Sequence, residues 1–150
     1  MSPEEWMESL GPSAHDRYKA NNEARLYASL PTVHLEGAGE PGMIRVVGTT
    51  YYQKAAERVA KRNREEDLRI QFTATLIPEY DNPLDLNAIA VYGEGREIGH
   101  LSREDAARYR DVLRRLAPTA TITVPATIYA GHHGGSSWDI GLRLPPPEQL

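Results

Sequence analysis

Between Met43 and Leu144 the chain returns six times to strand-like runs and only twice to a helical period, and that rhythm leaves few folds open. In LRIQFTATLI the residues Ile70, Phe72, Ala74 and Leu76 alternate with Arg69, Gln71, Thr73 and Thr75, which predicts a strand with one dry face. MIRVVGTT is a short β-branched strand. NAIAVY and REIGHL are two more, joined by Gly93-Glu94-Gly95 as a short glycine hairpin. In TITVPATIYA, Ile122, Val124, Ala126 and Ile128 alternate with threonines, and Pro125, which cannot donate to a ladder, predicts an edge strand or a bulge. SWDIGLRL closes the series by alternating Trp138, Ile140, Leu142 and Leu144.

The two helical stretches are equally legible. QKAAERVAKRNREE sets Ala55, Ala56, Val59, Ala60 and Asn63 along one stripe. In the second, Ser102 and Asp105 form a capping-box-like S-x-x-D, and Leu101 stands where a hydrophobic staple would. Ala106, Tyr109, Leu113 and Leu116 then recur at helical spacing until Pro118 ends the helix. The order is β-α-β-β-β-α-β-β. Six short strands with two helices favour a mostly β, α+β fold, a small antiparallel OB/SH3-like β-barrel, over a doubly wound sheet.

The first 42 residues differ from the rest. SPEEWMESL and SAHDRYKANNEARLYASL can be helical, with Ser2 or Ser13 as N-caps and Tyr18, Leu26 and Leu30 as sparse apolar anchors. EGAGEPG then breaks the pattern, as a linker or loop would. Residues 1–42 thus read as a helical arm, 43–145 as the barrel domain and 146–150 as a flexible tail. Charge divides the same way. The arm holds three basic residues, Arg17, Lys19 and Arg25, against seven acidic ones, whereas Met43 to Arg143 hold 14 basic and 13 acidic. No field over the whole molecule draws it to nucleic acid, so any phosphate binding has to come from a local patch.

At 150 residues the chain suits one domain with a real core. Without cysteine it has no disulfide framework, thiolate nucleophile or cysteine-ligated zinc. No run nears the roughly 18 apolar residues of a membrane helix, and MSPEEWMESLGPS has neither the basic start nor the apolar centre of a signal peptide. These features predict a cytoplasmic protein with no membrane partner.

Residues that could carry chemistry concentrate in IPEYDNPLDLNAIAVYGEGREIGHLSRE, Ile77 to Glu104. Asp81, Asp85 and His100 offer an acid and base set, but Asp81-Asn82-Pro83 is ordinary turn chemistry, with side chains satisfying local backbone donors. His132 and His133 are adjacent, so on an extended chain they point to opposite faces, and a third ligand would have to come from far away. No metal or other cofactor is expected. Gly93-Glu94-Gly95 lacks the lysine and the downstream helix of a phosphate loop.

Nucleic-acid binding without base readout asks for less: local cations, aromatic platforms and polar groups along a backbone. Tyr51 and Tyr52 follow a strand, His100 ends another, and Trp138 starts the last. Arg103 opens a helix whose N-terminal amides favour anions. Tyr52 and Trp138 would also serve a core, since large aromatics bury well.

Together, VVGTTYY, the block from Ile77 to Ala106, ATIYAG and WDIGLRL resemble the HIRAN domain. There a V-x-G-x-x-Y-Y-like start is followed by an N-P-x-D-x-N-A-I-x-V segment, a G-x-x-x-G-H/Y-L turn and a helix. The likeness runs from Ile44 to Leu144. It implies a small barrel related to OB and SH3-like folds, found attached to DNA-remodelling helicases and as stand-alone bacterial or phage proteins. It also implies capture of the free 3′ end of single-stranded DNA, with bases stacked on aromatics and the 3′-hydroxyl held by polar side chains. By position, Tyr51 would be the platform, Asp85 would accept from the terminal hydroxyl and Asn82 would shape the pocket. His100 and Arg103 would meet phosphates, Trp138 would flank the strand, and Asn87 would buttress the turn. Two positions depart from the pattern: Thr50 stands where end-binding members have an arginine, and Leu84 where they have a second aromatic. A lost stack is worth roughly 1–3 kcal/mol.

The expected function is non-enzymatic binding of single-stranded DNA or DNA ends, in the setting of DNA repair. The alternative is a protein-interaction adaptor that presents a strand edge or the acidic arm 1–42 to a partner. A metal-dependent nuclease built on Asp81, Asp85 and His132 is the third reading.

Overall fold

The long alternating runs Arg69–Pro78 (β3) and Thr121–Ala130 (β6) face each other along almost their whole length, from Arg69 opposite Tyr129 to Leu76 opposite Ile122. Their dry sides, Ile70, Phe72, Ala74 and Leu76 on one and Ile122, Val124, Ala126 and Ile128 on the other, are all buried in the main core. The computed structural model describes residues 2, 19–20, 22, 24, 32–37, 43–63, 69–79, 82–117, 121–130 and 137–150. With β2 (Ile44–Val47), β4 (Ile89–Gly93), β5 (Arg96–Leu101) and β7 (Trp138–Leu142), the two long strands form a ring in the order β6-β3-β4-β5-β2-β7, and β7 returns to β6. Every pairing in the ring is antiparallel. Closure leaves the ring no free edge.

Two helices complete the α+β architecture, α1 (Gln53–Asn63) between β2 and β3 and α2 (Arg103–Leu116) between β5 and β6, in the order read from the sequence. α1 buries Ala56, Val59 and Ala60. α2 is capped as expected, Ser102 Oγ accepting from the Asp105 N–H at 3.1 Å, and buries Ala106, Tyr109, Val112 and Leu113. The hairpin falls on Glu94 and Gly95, both at positive φ (51° and 78°), the two-residue turn whose twist suits flanking strands. Glu94 is tied to the end of α1, accepting from Asn63 Nδ2 at 3.0 Å and Arg62 Nη1 at 3.4 Å.

Three expectations need correction. First, the arm is not only helical. Lys19, Ala20, Asn22 and Ala24 are helical, but Thr32–His34 form a further strand, β1, parallel to the start of β6. Second, β6 is neither an edge strand nor bulged at Pro125. One side of β6 is shared: β1 lies against residues 121–123 and β7 against 126–130, and Pro125 sits between them. Pro125 O accepts from the Arg143 N–H at 2.9 Å, so its nitrogen faces the same side, at the point where one partner gives way to the next. Third, the C-terminus docks. Pro147–Gln149 form a 3-10 turn, Tyr109 Oη donates to Pro145 O at 2.7 Å, Arg115 Nη2 donates to Leu150 O at 2.9 Å, and Leu150 packs on the core. The rest of the predicted arm helices, Asp81, Pro118 and the glycine loop with His132 and His133 lie outside the described residues.

One irregularity positions the polar residues. Between the pairs Val91–Gly99 and Tyr92–Glu97 the β4–β5 register slips, leaving Ile98 as an extra residue. On a regular strand Glu97 and His100, three apart, would point to opposite faces; the bulge brings His100 Nε2 within 3.3 Å of Glu97 Oε1.

Candidate functional site

Gly48, at φ 74°, turns the chain out of β2 into a 3-10 turn, Thr49–Tyr52, closed by the Tyr51 N–H donating to Gly48 O at 3.1 Å. Thr49 is buried and Tyr52 half-buried, whereas Tyr51 is 87% exposed. Gln53 fixes the turn to the barrel. Its Nε2 donates to Thr49 O at 2.9 Å and Trp138 O at 3.1 Å, and its Oε1 accepts from the Trp138 N–H at 2.7 Å. Trp138 thus meets the turn through its backbone while its side chain packs partly on the core.

Thr50 to Ala55, with Arg96 and Glu97 of β5, line an open groove of about 580 Å³. Lys54 and Arg96 are exposed there and make no ion pair among the described residues. Neither stood out in the sequence, where each reads as an ordinary surface cation.

Glu97 also belongs to a second cluster. Glu79, just past β3, is fully buried; its carboxylate accepts from Asn22 Nδ2 of the arm, from His100 Nε2 at 2.7 Å and from Asn82 Nδ2 at 3.5 Å. Lys19 Nζ donates to both Glu97 oxygens, at 2.6 Å to Oε2, and lies 3.8 Å from Glu79 Oε2. Burial would push the Glu79 carboxyl up, but the hydrogen bond and charge of His100, with Lys19 and Asn22, hold it below the ordinary glutamate range. Ligand atoms of Glu79, Glu97 and His100 lie within 4.8 Å of one another, a metal-like spacing in which the Lys19 ammonium supplies the positive charge.

The predicted residues therefore fall in different settings. Tyr51 fronts the groove, and Trp138 is joined to it through Gln53. His100 faces Glu79 and Glu97. Asn82 is buried, its Oδ1 accepting from the Leu84 N–H at 2.9 Å. Asp85 is half-buried, with Oδ1 accepting from the Asn87 N–H at 2.9 Å. Arg103 is exposed at the first turn of α2, and Leu84 is 37% exposed. Glu79, Lys19 and Asn22 were missed. The available signal was a glutamate directly after the buried run Leu76–Pro78, which is expensive unless partnered.

The family model of the HIRAN domain matches residues 43–128, more than half of the chain. The chain belongs to the HIRAN domain family. No curated protein and no solved structure matches it. The matched segment of this HIRAN domain runs from just before β2 into β6, and so contains the Tyr51 turn, the groove-lining residues of α1 and β5, and both carboxylates of the cluster. Lys19 and Asn22 lie before it. No helix among the described residues is long and apolar enough to cross a membrane.

Proposed function

We propose that this HIRAN domain binds single-stranded nucleic acid, namely single-stranded DNA or a DNA 3′ end, along the groove fronted by Tyr51. One observation carries the reading: a tyrosine 87% exposed, held by a hydrogen-bonded turn at a groove with two exposed cations. A ring left in water and fixed at its base offers a face on which a base of any identity can stack. Lys54 and Arg96 supply cations beside Thr50, the position at which the arginine of end-binding relatives is missing. That the family is in general one of DNA-binding modules supports the same reading.

In this proposal Arg103 meets phosphate together with the first amides of α2. The second carboxylate oxygen of Asp85 accepts from a terminal hydroxyl, and Asn82 shapes the turn that carries it. Trp138 flanks the groove through Gln53, and His100, held between Glu79 and Glu97, backs the wall at Glu97. The adaptor reading through the arm draws less support, because Lys19 and Asn22 are engaged with Glu97 and Glu79. Fluorescence anisotropy with single-stranded oligonucleotides ending in a 3′-hydroxyl or a 3′-phosphate tests the proposal. Binding at low salt, weakened by a 3′-phosphate, is expected. Absence of binding overturns the function, and indifference to the terminus overturns the end-capture part.

A further inference from the structure

We infer that Lys19, delivered by the arm, sets the charge of the groove wall and so the affinity of the groove for phosphate. The inference rests on the nucleic-acid reading above. Its basis is that Glu97 is shared between two environments. It lines the groove with Lys54 and Arg96, and its two oxygens accept from the ammonium of Lys19, 78 residues away in sequence. Asn22, three residues on and therefore on the same side of the helical segment, donates to Glu79 behind it.

Glu79 is occupied by Asn22, His100 and Asn82, and His100 lies 3.3 Å from Glu97. With Lys19 seated, the wall at Glu97 is neutralised and the two groove cations act unopposed. With Lys19 withdrawn, the same wall presents a bare carboxylate to an incoming phosphate, and one of the two cations is spent against it. The arm therefore acts on binding by compensating a charge, without touching the nucleic acid. Anything that takes hold of the arm lowers affinity at the groove.

The experiment compares the full chain with Lys19→Met, Glu97→Gln and the double variant K19M/E97Q, using a fluorescein-labelled oligothymidylate across a salt series. Melting curves on every variant verify folding. Lys19→Met should weaken binding about five- to tenfold at roughly 50 mM salt and lower the salt slope by about 0.7, the equivalent of one counterion on a single strand. Glu97→Gln should tighten it by a similar factor, and the double variant should return to within about twofold of the unsubstituted chain. Binding indifferent to both single changes overturns the inference and leaves the groove reading standing. So does a double variant as weak as Lys19→Met, because a lysine that merely holds the arm in place would not be rescued by removing its partner's charge. No binding by the unsubstituted chain removes both readings together.

Discussion

Strand β5 separates two regions that use polar side chains in opposite ways. On one side Tyr51, Lys54 and Arg96 stand exposed around a groove; on the other Glu79, His100, Asn22, Asn82 and Lys19 are spent on one another. Glu97 belongs to both. By residue type alone the second group looks more like a site, since it holds the histidine, the carboxylates and a metal-like spacing. Partnership reverses that ranking. A polar group whose hydrogen bonds are all made inside the protein stabilises the fold, and a group left in water is free to meet a ligand.

This contrast can be broken most directly at Glu79. Glu79→Ala removes a buried acceptor from Asn22, His100 and Asn82, and should cost about 3–5 kcal/mol in urea unfolding, as for a buried ionic network that loses one member. A cost under about 1 kcal/mol would mean that the cluster is solvated and not structural. The acid limb of stability should carry the same signature. A carboxyl depressed in the folded state contributes stability that is present above its unfolded pKa of about 4.3 and lost as pH falls through the lower folded value. Unfolding free energies measured downward from pH 5 should fall more steeply for the unsubstituted chain than for Glu79→Gln.

The open side should answer the other way. Tyr51→Ala should lower single-strand affinity by about ten- to hundredfold, the worth of one stacked base, with no change in melting temperature because the ring buries nothing. Equal loss of stability and binding would place Tyr51 with the structural residues. The smallest effects are expected for Lys54→Gln and Arg96→Gln: a fewfold weakening each, and a salt slope lower by about 0.7. An unchanged slope for both would put the phosphate path elsewhere on the barrel.

The barrel was legible because its strands alternate cleanly. Ile70 to Leu76 and Ile122 to Ile128 could be assigned to the core before any pairing was known. Ser102, Leu101 and the Gly93-Glu94-Gly95 turn announced themselves through local chemistry that needs no tertiary context. The site was legible only in part. Tyr51 carried a family motif, whereas Lys54 and Arg96 owe their meaning to a helix and a hairpin strand meeting across a groove. The turn chemistry expected of the Asn82 region was right, and Asn82 and Asp85 do bond to backbone N–H groups two residues on. The cluster was hidden because it needs the β5 bulge and two residues of the arm, and neither leaves a periodic trace.

Pro125 governs how far two neighbours can advance along the same rail. β1 and β7 approach one side of β6 from opposite ends, and each additional rung gained by one would have to be taken from the other. A ring nitrogen without hydrogen gives the contested rung no donor, and its one acceptor, the Pro125 carbonyl, is already taken by the Arg143 N–H. The arm strand cannot zip onward and prise the barrel open, and the closing strand cannot creep back and evict the arm. A single residue thereby keeps a closed ring and an attached arm compatible in one molecule.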